Sequence, residues 1–266
     1  MENARLLADV LALVETAAGR IVEIAARRMV VDYKADDSPL TAADLASHEV
    51  LTTGLRDLTP DWPVLSEESA AISWAVRRQW QRYWLVDPLD GTKEFIQRRD
   101  SYTINVALID HGRPVLGAVA APARQTVWYA TAGAAWRRDH SGEIHRLHTR
   151  RSPASPPVVV ASRSHRSPVL ETYLDALGEH RDISIGSALK FCLIAEGEAD
   201  FYPRLGLTSE WDTAAGQCVV EAAGGVVRRF DDTPLIYNTK ESLLNPWFFV
   251  RGDPDAHYPP LPPQSD

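Results

Sequence analysis

The chain has 266 residues, with 28 Lys and Arg against 36 Asp and Glu, a formal charge of −8, 45% hydrophobic and 24% charged residues. That balance supports a sizeable buried core in one large domain or two packed lobes, and it excludes disordered, collagen-like and coiled-coil chains. An acidic surplus without a basic block also excludes a groove for nucleic-acid polymers or an anionic-membrane patch, both of which need clustered Lys and Arg.

From Asn3 to Val30, apolar residues recur at helical spacing (Leu6, Val10, Leu13, Val14, Ala17, Ile21, Ile24), predicting an amphipathic helix that covers a sheet. Its acidic start is unlike a signal peptide, and no segment approaches the roughly 18 consecutive apolar residues of a membrane span. A polar stretch from Lys34 to Asp44 leads into a second helix from about Leu45 to Leu58, with Thr41 or Asp44 placed to cap it. A short strand at Pro63 to Leu65, an acidic turn at Glu67-Glu68 and a buried strand at Tyr83 to Val86 follow. Alternating stretches at Tyr102 to Ile109, Pro114 to Ala120 and Thr126 to Ala130 predict a meander.

The turn-rich segment Ser152 to Pro157 marks a lobe boundary, dividing an N-terminal α+β lobe (1–150) from a C-terminal α/β lobe (151–256) and a Pro-rich tail (257–266). The second lobe reads as strands at Val158 to Ala161, near Ile183, and at Asp200 to Tyr202, Val226 to Phe230 and Trp247 to Val250. Helices fall between them at Pro168 to Leu177, Ser187 to Glu196 and Thr213 to Ala223, the last closed by Gly224-Gly225. Cys192 and Cys218 sit in apolar helical contexts and read as buried thiols of a reducing compartment, the cytoplasm.

Most of the chemistry sits in Trp84-Leu-Val-Asp87-Pro-Leu-Asp90-Gly-Thr92. A buried strand delivers Asp87, a proline stiffens the turn, and Asp90 follows three residues on, so both carboxylates can converge with the Leu89 carbonyl. Gly91 permits close backbone approach, and the Gly91 and Thr92 amides open the next helix as an anion site, which together suit Mg²⁺ bridged to a phosphate. One of Glu67 and Glu68 can point into the same cleft, and Asp212 stands at the mouth of a small-residue helix. Taken singly these acids read as a solvated turn and a helix cap, and Thr92 and Asp44 as helix caps too. Convergence of four acids from separate strand ends and helix starts instead suits a multi-metal phosphoryl site. His165 lacks a GxSxG partner motif, and His48-Glu-Val-Leu-Thr52 lacks the second histidine of a zinc-protease helix.

Four motifs, Lys34-Ala-Asp-Asp-Ser-Pro-Leu-Thr-Ala-Ala-Asp44, Leu65-Ser-Glu-Glu-Ser69, Val86-Asp-Pro-Leu-Asp-Gly-Thr-Lys-Glu-Phe-Ile96 and Thr208-Ser-Glu-Trp-Asp-Thr-Ala-Ala-Gly216, occur in an order that resembles the lithium-sensitive, magnesium-dependent inositol monophosphatase superfamily. Within it, the chain is most similar to the bacterial CysQ-type 3'(2'),5'-bisphosphate nucleotidases. The resemblance implies a layered α/β/α/β/α sugar-phosphatase-like fold and two Mg²⁺ ions, with a third near Glu67 in some relatives. It assigns Glu67, Asp87 and the Leu89 carbonyl to one ion, and Asp87, Asp90 and Asp212 to the other. Thr92 becomes the relay and Asp44 the acceptor for the proton of the attacking water.

Substrate-binding residues implied by position are Glu67, Leu89, Asp90, Gly91, Thr92, Ser187, Lys190, Arg204 and Asp212, with Lys190 and Arg204 facing a second phosphate; Ser162-Arg-Ser-His165 is a further nucleotide-side segment. The implied reaction is hydrolysis of the 3'-phosphate of adenosine 3',5'-bisphosphate, a by-product of sulfate assimilation, to AMP and phosphate. Alternatives are hydrolysis of inositol 1-phosphate or another sugar phosphate, and a non-catalytic cation- or nucleotide-binding protein on the same scaffold. A homodimer and peripheral contact with the inner face of the cell membrane stay open. Asp37, in place of the usual Gly or Asn, and Leu207, in place of Pro, depart from the family pattern without touching an implied ligand.

Overall fold

The computed structural model describes residues 2–26, 31–33, 39–131, 133–162 and 167–260. The expectations for Lys34 to Ser38, including Asp37, for Arg163 to His165, for the final turn of the first helix and for the tip of the tail fall outside those residues.

The elements in chain order are α1 (Glu2–Ala25), β1 (Val31–Tyr33), β2 (Pro39–Thr41), α2 (Ala42–Leu58), β3 (Val64–Ser66), α3 (Trp74–Arg77), β4 (Arg82–Asp90) and α4 (Thr92–Ile96). The meander follows as β5 (Thr103–Asp110), β6 (Arg113–Ala121), β7 (Thr126–Thr131), β8 (Ala134–Arg138) and β9 (Ile144–Arg146). Then come β10 (Val158–Ser162), α5 (Pro168–Leu177), β11 (Arg181–Ile185), α6 (Leu189–Ala195), β12 (Phe201–Arg204), α7 (Ala214–Ala223), β13 (Val226–Arg229) and β14 (Phe248–Arg251). A seven-stranded sheet runs β3-β4-β5-β6-β7-β8-β9, and a five-stranded sheet runs β11-β10-β12-β14-β13.

Side-chain alternation along these strands produces the layers. Trp84 and Val86 of β4, Ile104, Val106 and Leu108 of β5, and Ala118 and Ala120 of β6 face α1 and α2, where Val10, Val14, Ile21, Leu51 and Leu55 complete one core. The alternate residues, Tyr83, Leu85, Ala107, Ile109, Val119 and Ala121, face the other way onto α6 and α7. The same core takes in Val158, Val160, Tyr202, Phe248 and Val250 of the second sheet. That sheet's opposite face, with Val159, Ala161, Phe201 and Phe249, packs on Leu170, Tyr173 and Leu174 of α5. The expected α/β/α/β/α layering therefore follows from period-two patterning in both sheets.

Several details differ from the sequence reading. Val31–Tyr33 and Pro39–Thr41 pair as two short antiparallel strands, and β8 and β9 extend the meander. The β-segment expected to stop at Val86 continues to Asp90 through a register shift between Asp87 and Asp90. Helix α6 begins at Leu189 rather than Ser187, because Ser187 has φ +54° and cannot enter a right-handed helix. Cys192 and Cys218 are free and buried as expected. Among the described residues no helix is long and apolar enough to cross a membrane.

Close approach of α7 to the first sheet depends on Gly117, where a Cβ would sit 2.7 Å from the Ala215 carbonyl oxygen and from Cys218 Cβ. Both neighbours belong to a packed helix that cannot swing aside. Gly117→Ala is expected to lower unfolding stability by about 1–3 kcal/mol, the usual range for overpacking. A denaturant midpoint equal to that of the unsubstituted chain would contradict this account of the packing.

Candidate active site

Helix α2 begins with a reciprocal cap: Thr41 Oγ1 accepts from the Ala43 amide at 3.2 Å, while the Thr41 amide donates to Asp44 Oδ2 at 2.8 Å. Thr41 Oγ1 also donates to Asp44 Oδ2 at 2.6 Å. The second oxygen, Asp44 Oδ1, accepts from Thr92 Oγ1 at 3.1 Å. Asp44 is thus both a cap residue and a contact of Thr92. Burial pushes its carboxyl above the ordinary range, and the Thr41 and Thr92 hydrogen bonds only partly oppose that.

The end of β4 carries the next group. The Leu89 amide donates to Asp87 Oδ1 at 3.0 Å, and Thr103 Oγ1 and Asn105 Nδ2 lie 3.4 Å from Asp90 Oδ2 as donors. Thr92 Oγ1 also donates to the Leu89 carbonyl at 3.3 Å. Gly91, not Thr92, is the N-cap of α4. It adopts φ +89°, and a Cβ there would collide with Ser187 Oγ, which donates to the Asp90 carbonyl at 2.9 Å.

Asp212 arrives from the segment ahead of α7. The N-cap of that helix is Thr213. Asp212 Oδ2 points backwards instead, accepting from Thr208 Oγ1 at 2.7 Å and the Ser209 amide at 2.8 Å. Asp87, Asp90 and Asp212 each offer an oxygen within 4.8 Å of the others. Burial first, then Glu67, Asp90 and Asp212, raise Asp87 well above the ordinary carboxylate range. Burial and the facing Asp212 push Asp90 up to about 7, against the pull of Lys190.

These residues border a cavity of about 270 Å³ lined by Glu67, Asp90, Gly91, Thr92, Ser187, Lys190, Arg204 and Asp212. Asp87 and Leu89 are buried behind it, and of the Glu67-Glu68 pair only Glu67 is in its lining. Lys190 is 6% exposed, not a surface charge; its Nζ donates to the Ser187 carbonyl at 2.5 Å and lies 5.6 Å from the centre of the Tyr202 ring. Burial lowers its pKa to about 8 despite the attraction of Asp90. Arg204 donates to the Leu207 carbonyl, and Leu207 is 75% exposed at the rim.

Sequence reasoning missed the hydroxyl and amide groups that hold the acids: Thr41 at Asp44, Thr103 and Asn105 at Asp90, and Thr208 at Asp212. A signal was available in β5, where polar Thr103 and Asn105 alternate with apolar Ile104 and Val106 in an otherwise apolar strand. Glu94 and Lys93 also border the cavity. Three clustered carboxylates, two of them with raised pKa, form a donor set for a hard divalent cation, which takes oxygen ligands.

The sequence model of the inositol monophosphatase family matches residues 3–253. The chain is 55% identical over 222 residues to the 3'(2'),5'-bisphosphate nucleotidase CysQ of Escherichia coli strain K12, covering 84% of this chain and 89% of that protein. The protein of the same name from E. coli O157:H7 is 52% identical over 247 residues, 92% of this chain and 99% of its own length. Among solved structures, CysQ from Bacteroides thetaiotaomicron superposes with a TM-score of 0.82 at 38% identity, covering 93% of this chain and 97% of that one. A match extending over nearly the whole chain, from α1 to beyond β14, leads to one conclusion: the chain belongs to the inositol monophosphatase family.

Proposed function

We propose that the chain is a Mg²⁺-dependent phosphomonoesterase that hydrolyses the 3'-phosphate of adenosine 3',5'-bisphosphate to AMP and phosphate in the cytoplasm. The observation that carries this reading is one cavity bordered both by carboxylates suited to a cation and by Lys190 and Arg204, in a chain 52–55% identical to CysQ nucleotidases. A monophosphate ester needs the carboxylate side alone; a bisphosphate also gives the two cationic side chains a partner.

Glu67, Asp87, Asp90, Asp212 and the Leu89 carbonyl would hold two Mg²⁺ ions. Bound Mg²⁺ supplies positive charge to the phosphoryl oxygens and acidifies water. The chain's own contribution is orientation and proton acceptance. Thr92 Oγ1, already donating to Asp44 Oδ1, keeps its lone pairs for a proton of the attacking water. As the water oxygen bonds to phosphorus, its proton passes to Thr92 while the Thr92 proton passes to Asp44. The P–O3' bond then breaks, and the released oxygen takes a proton from solvent. Burial of Asp44 suits it to this role, because a carboxyl with a raised pKa accepts a proton more readily. Lys190 and Arg204 would bind the phosphate that is not transferred, and Ser187 and Gly91 would hold the turn against the substrate.

Steady-state rates on adenosine 3',5'-bisphosphate and inositol 1-phosphate, with Mg²⁺ and with chelator, test the reading. Faster turnover of the nucleotide and loss of activity with chelator are expected; faster turnover of inositol 1-phosphate would overturn the substrate assignment. Asp90→Asn removes a ligand and also one charge from a buried like-charged cluster. It should cost at least about a hundredfold in Mg²⁺-dependent rate. Its melting temperature without metal should be no lower than that of the unsubstituted chain, since repulsion by Asp212 is relieved. An unchanged rate would contradict the ligand assignment.

A further inference from the structure

Helix α2 reaches the segments that carry the carboxylate cluster at more than Asp44. Asp44, Ser47 and His48 stand three and four residues apart, so they share one face of the helix. Each reaches a different segment. Asp44 accepts from Thr92 at the start of α4. Ser47 Oγ donates to the Pro88 carbonyl at 2.7 Å across a sequence separation of 41. His48 Nδ1 lies 2.9 Å from Ser66 Oγ, at the end of β3 and immediately before Glu67.

The Ser47 contact has a specific geometric consequence. The Pro88 carbonyl and the Leu89 amide belong to one planar peptide unit, with C=O and N–H directed oppositely. Ser47 grips the oxygen of that unit, and its N–H donates to Asp87 Oδ1 at 3.0 Å. Fixing the plane therefore fixes one oxygen of Asp87. Proline at 88 has no amide of its own with which to anchor the turn to the sheet, so this carbonyl carries the attachment to α2. Ser66 pairs with Val86 in register, one residue before Asp87, and so His48 secures the neighbouring strand at the point where Glu67 departs. Ser47 and Ser66 are both fully buried, which confines their hydroxyls to these partners.

We propose that Ser47 and His48 are positioning residues that, from one face of α2, hold the Glu67 and Asp87 segments at the spacing a divalent cation requires. This rests on the reading of the carboxylate cluster as a metal centre. Groups that orient metal ligands typically change affinity by about 10–100-fold when removed, whereas residues that only support the helix leave affinity alone.

Calorimetric titration of the metal-stripped full chain with Mn²⁺ separates these roles. Ser47→Ala and His48→Ala should each weaken Mn²⁺ binding about tenfold or more. His48→Asn, whose amide can reach the Ser66 hydroxyl from a position like that of Nδ1, should recover most of the loss. Thr52→Ala serves as the comparison: the Thr52 hydroxyl donates to the His48 carbonyl on the same helix rather than to either ligand segment, so its Mn²⁺ affinity should be unchanged. Should Ser47→Ala not fold, the His48→Ala and His48→Asn pair carries the test. Unsubstituted-level affinity in the alanine variants, or an equal loss in Thr52→Ala, would overturn the positioning role while leaving the metal centre standing. Absence of Mn²⁺ binding by the unsubstituted chain would overturn both.

Discussion

Like charges gathered out of water are the constraint on which the rest of the structure depends. Asp87, Asp90 and Asp212 bring oxygens within 4.8 Å of one another, and burial already disfavours ionisation of Asp87 and Asp90, with Glu67 raising Asp87 further. In a low-dielectric site such repulsion amounts to several kcal/mol unless a proton or a cation offsets it. The raised pKa values of Asp87 and Asp90 express that conflict. A divalent cation among them would offset it with a charge that all three carboxylates can use. The net charge of −8 acquires a local meaning here, because Glu67, Asp90 and Asp212 line one cavity.

Holding such a cluster together requires a scaffold with enough independent packing to tolerate it. The acids come from the ends of β3 and β4, the start of α2 and the segment before α7, and each of these elements is anchored in one of the two large cores. Asp90 sits where β4 shifts register against β5, which turns its carboxylate onto Thr103 and Asn105. Two backbone conformations that L side chains adopt with difficulty, at Gly91 and Ser187, meet at the Asp90 carbonyl through Ser187 Oγ. Strain of this kind concentrates where a fold must aim groups at a ligand.

The layers were largely legible in the sequence because period-two apolar alternation in β4 to β7 and the helical stripe of α1 are local signals. Helix α5 matches its expected span from Pro168 to Leu177, having both a serine cap and a proline at its first position. What escaped was set by distant partners. A proline and two acids after Val86 read as a turn, but pairing with β5 carries the strand on to Asp90. β8 and β9 carry charged, half-exposed residues at a sheet margin and lack a clean alternation. The start of α6 was misplaced because Ser187 is held by the Asp90 carbonyl, far away in sequence. At the site, the acids themselves were visible because each stands at the end of an element. Their supporting hydroxyls were not: the reach of Ser47 to Pro88, or of Thr208 to Asp212, depends on how helix and strand lie against each other, and neighbouring residues do not encode that.

The central claim is that a divalent cation sits among Asp87, Asp90 and Asp212. Anomalous diffraction from crystals soaked with Mn²⁺ tests it directly. The account predicts a peak within coordinating distance of all three carboxylates. A second group with metal-binding spacing, Asp139, Glu143 and His145 at the β8–β9 turn, provides an internal contrast. Anomalous density confined to that turn, with none at the buried carboxylates, would contradict the account.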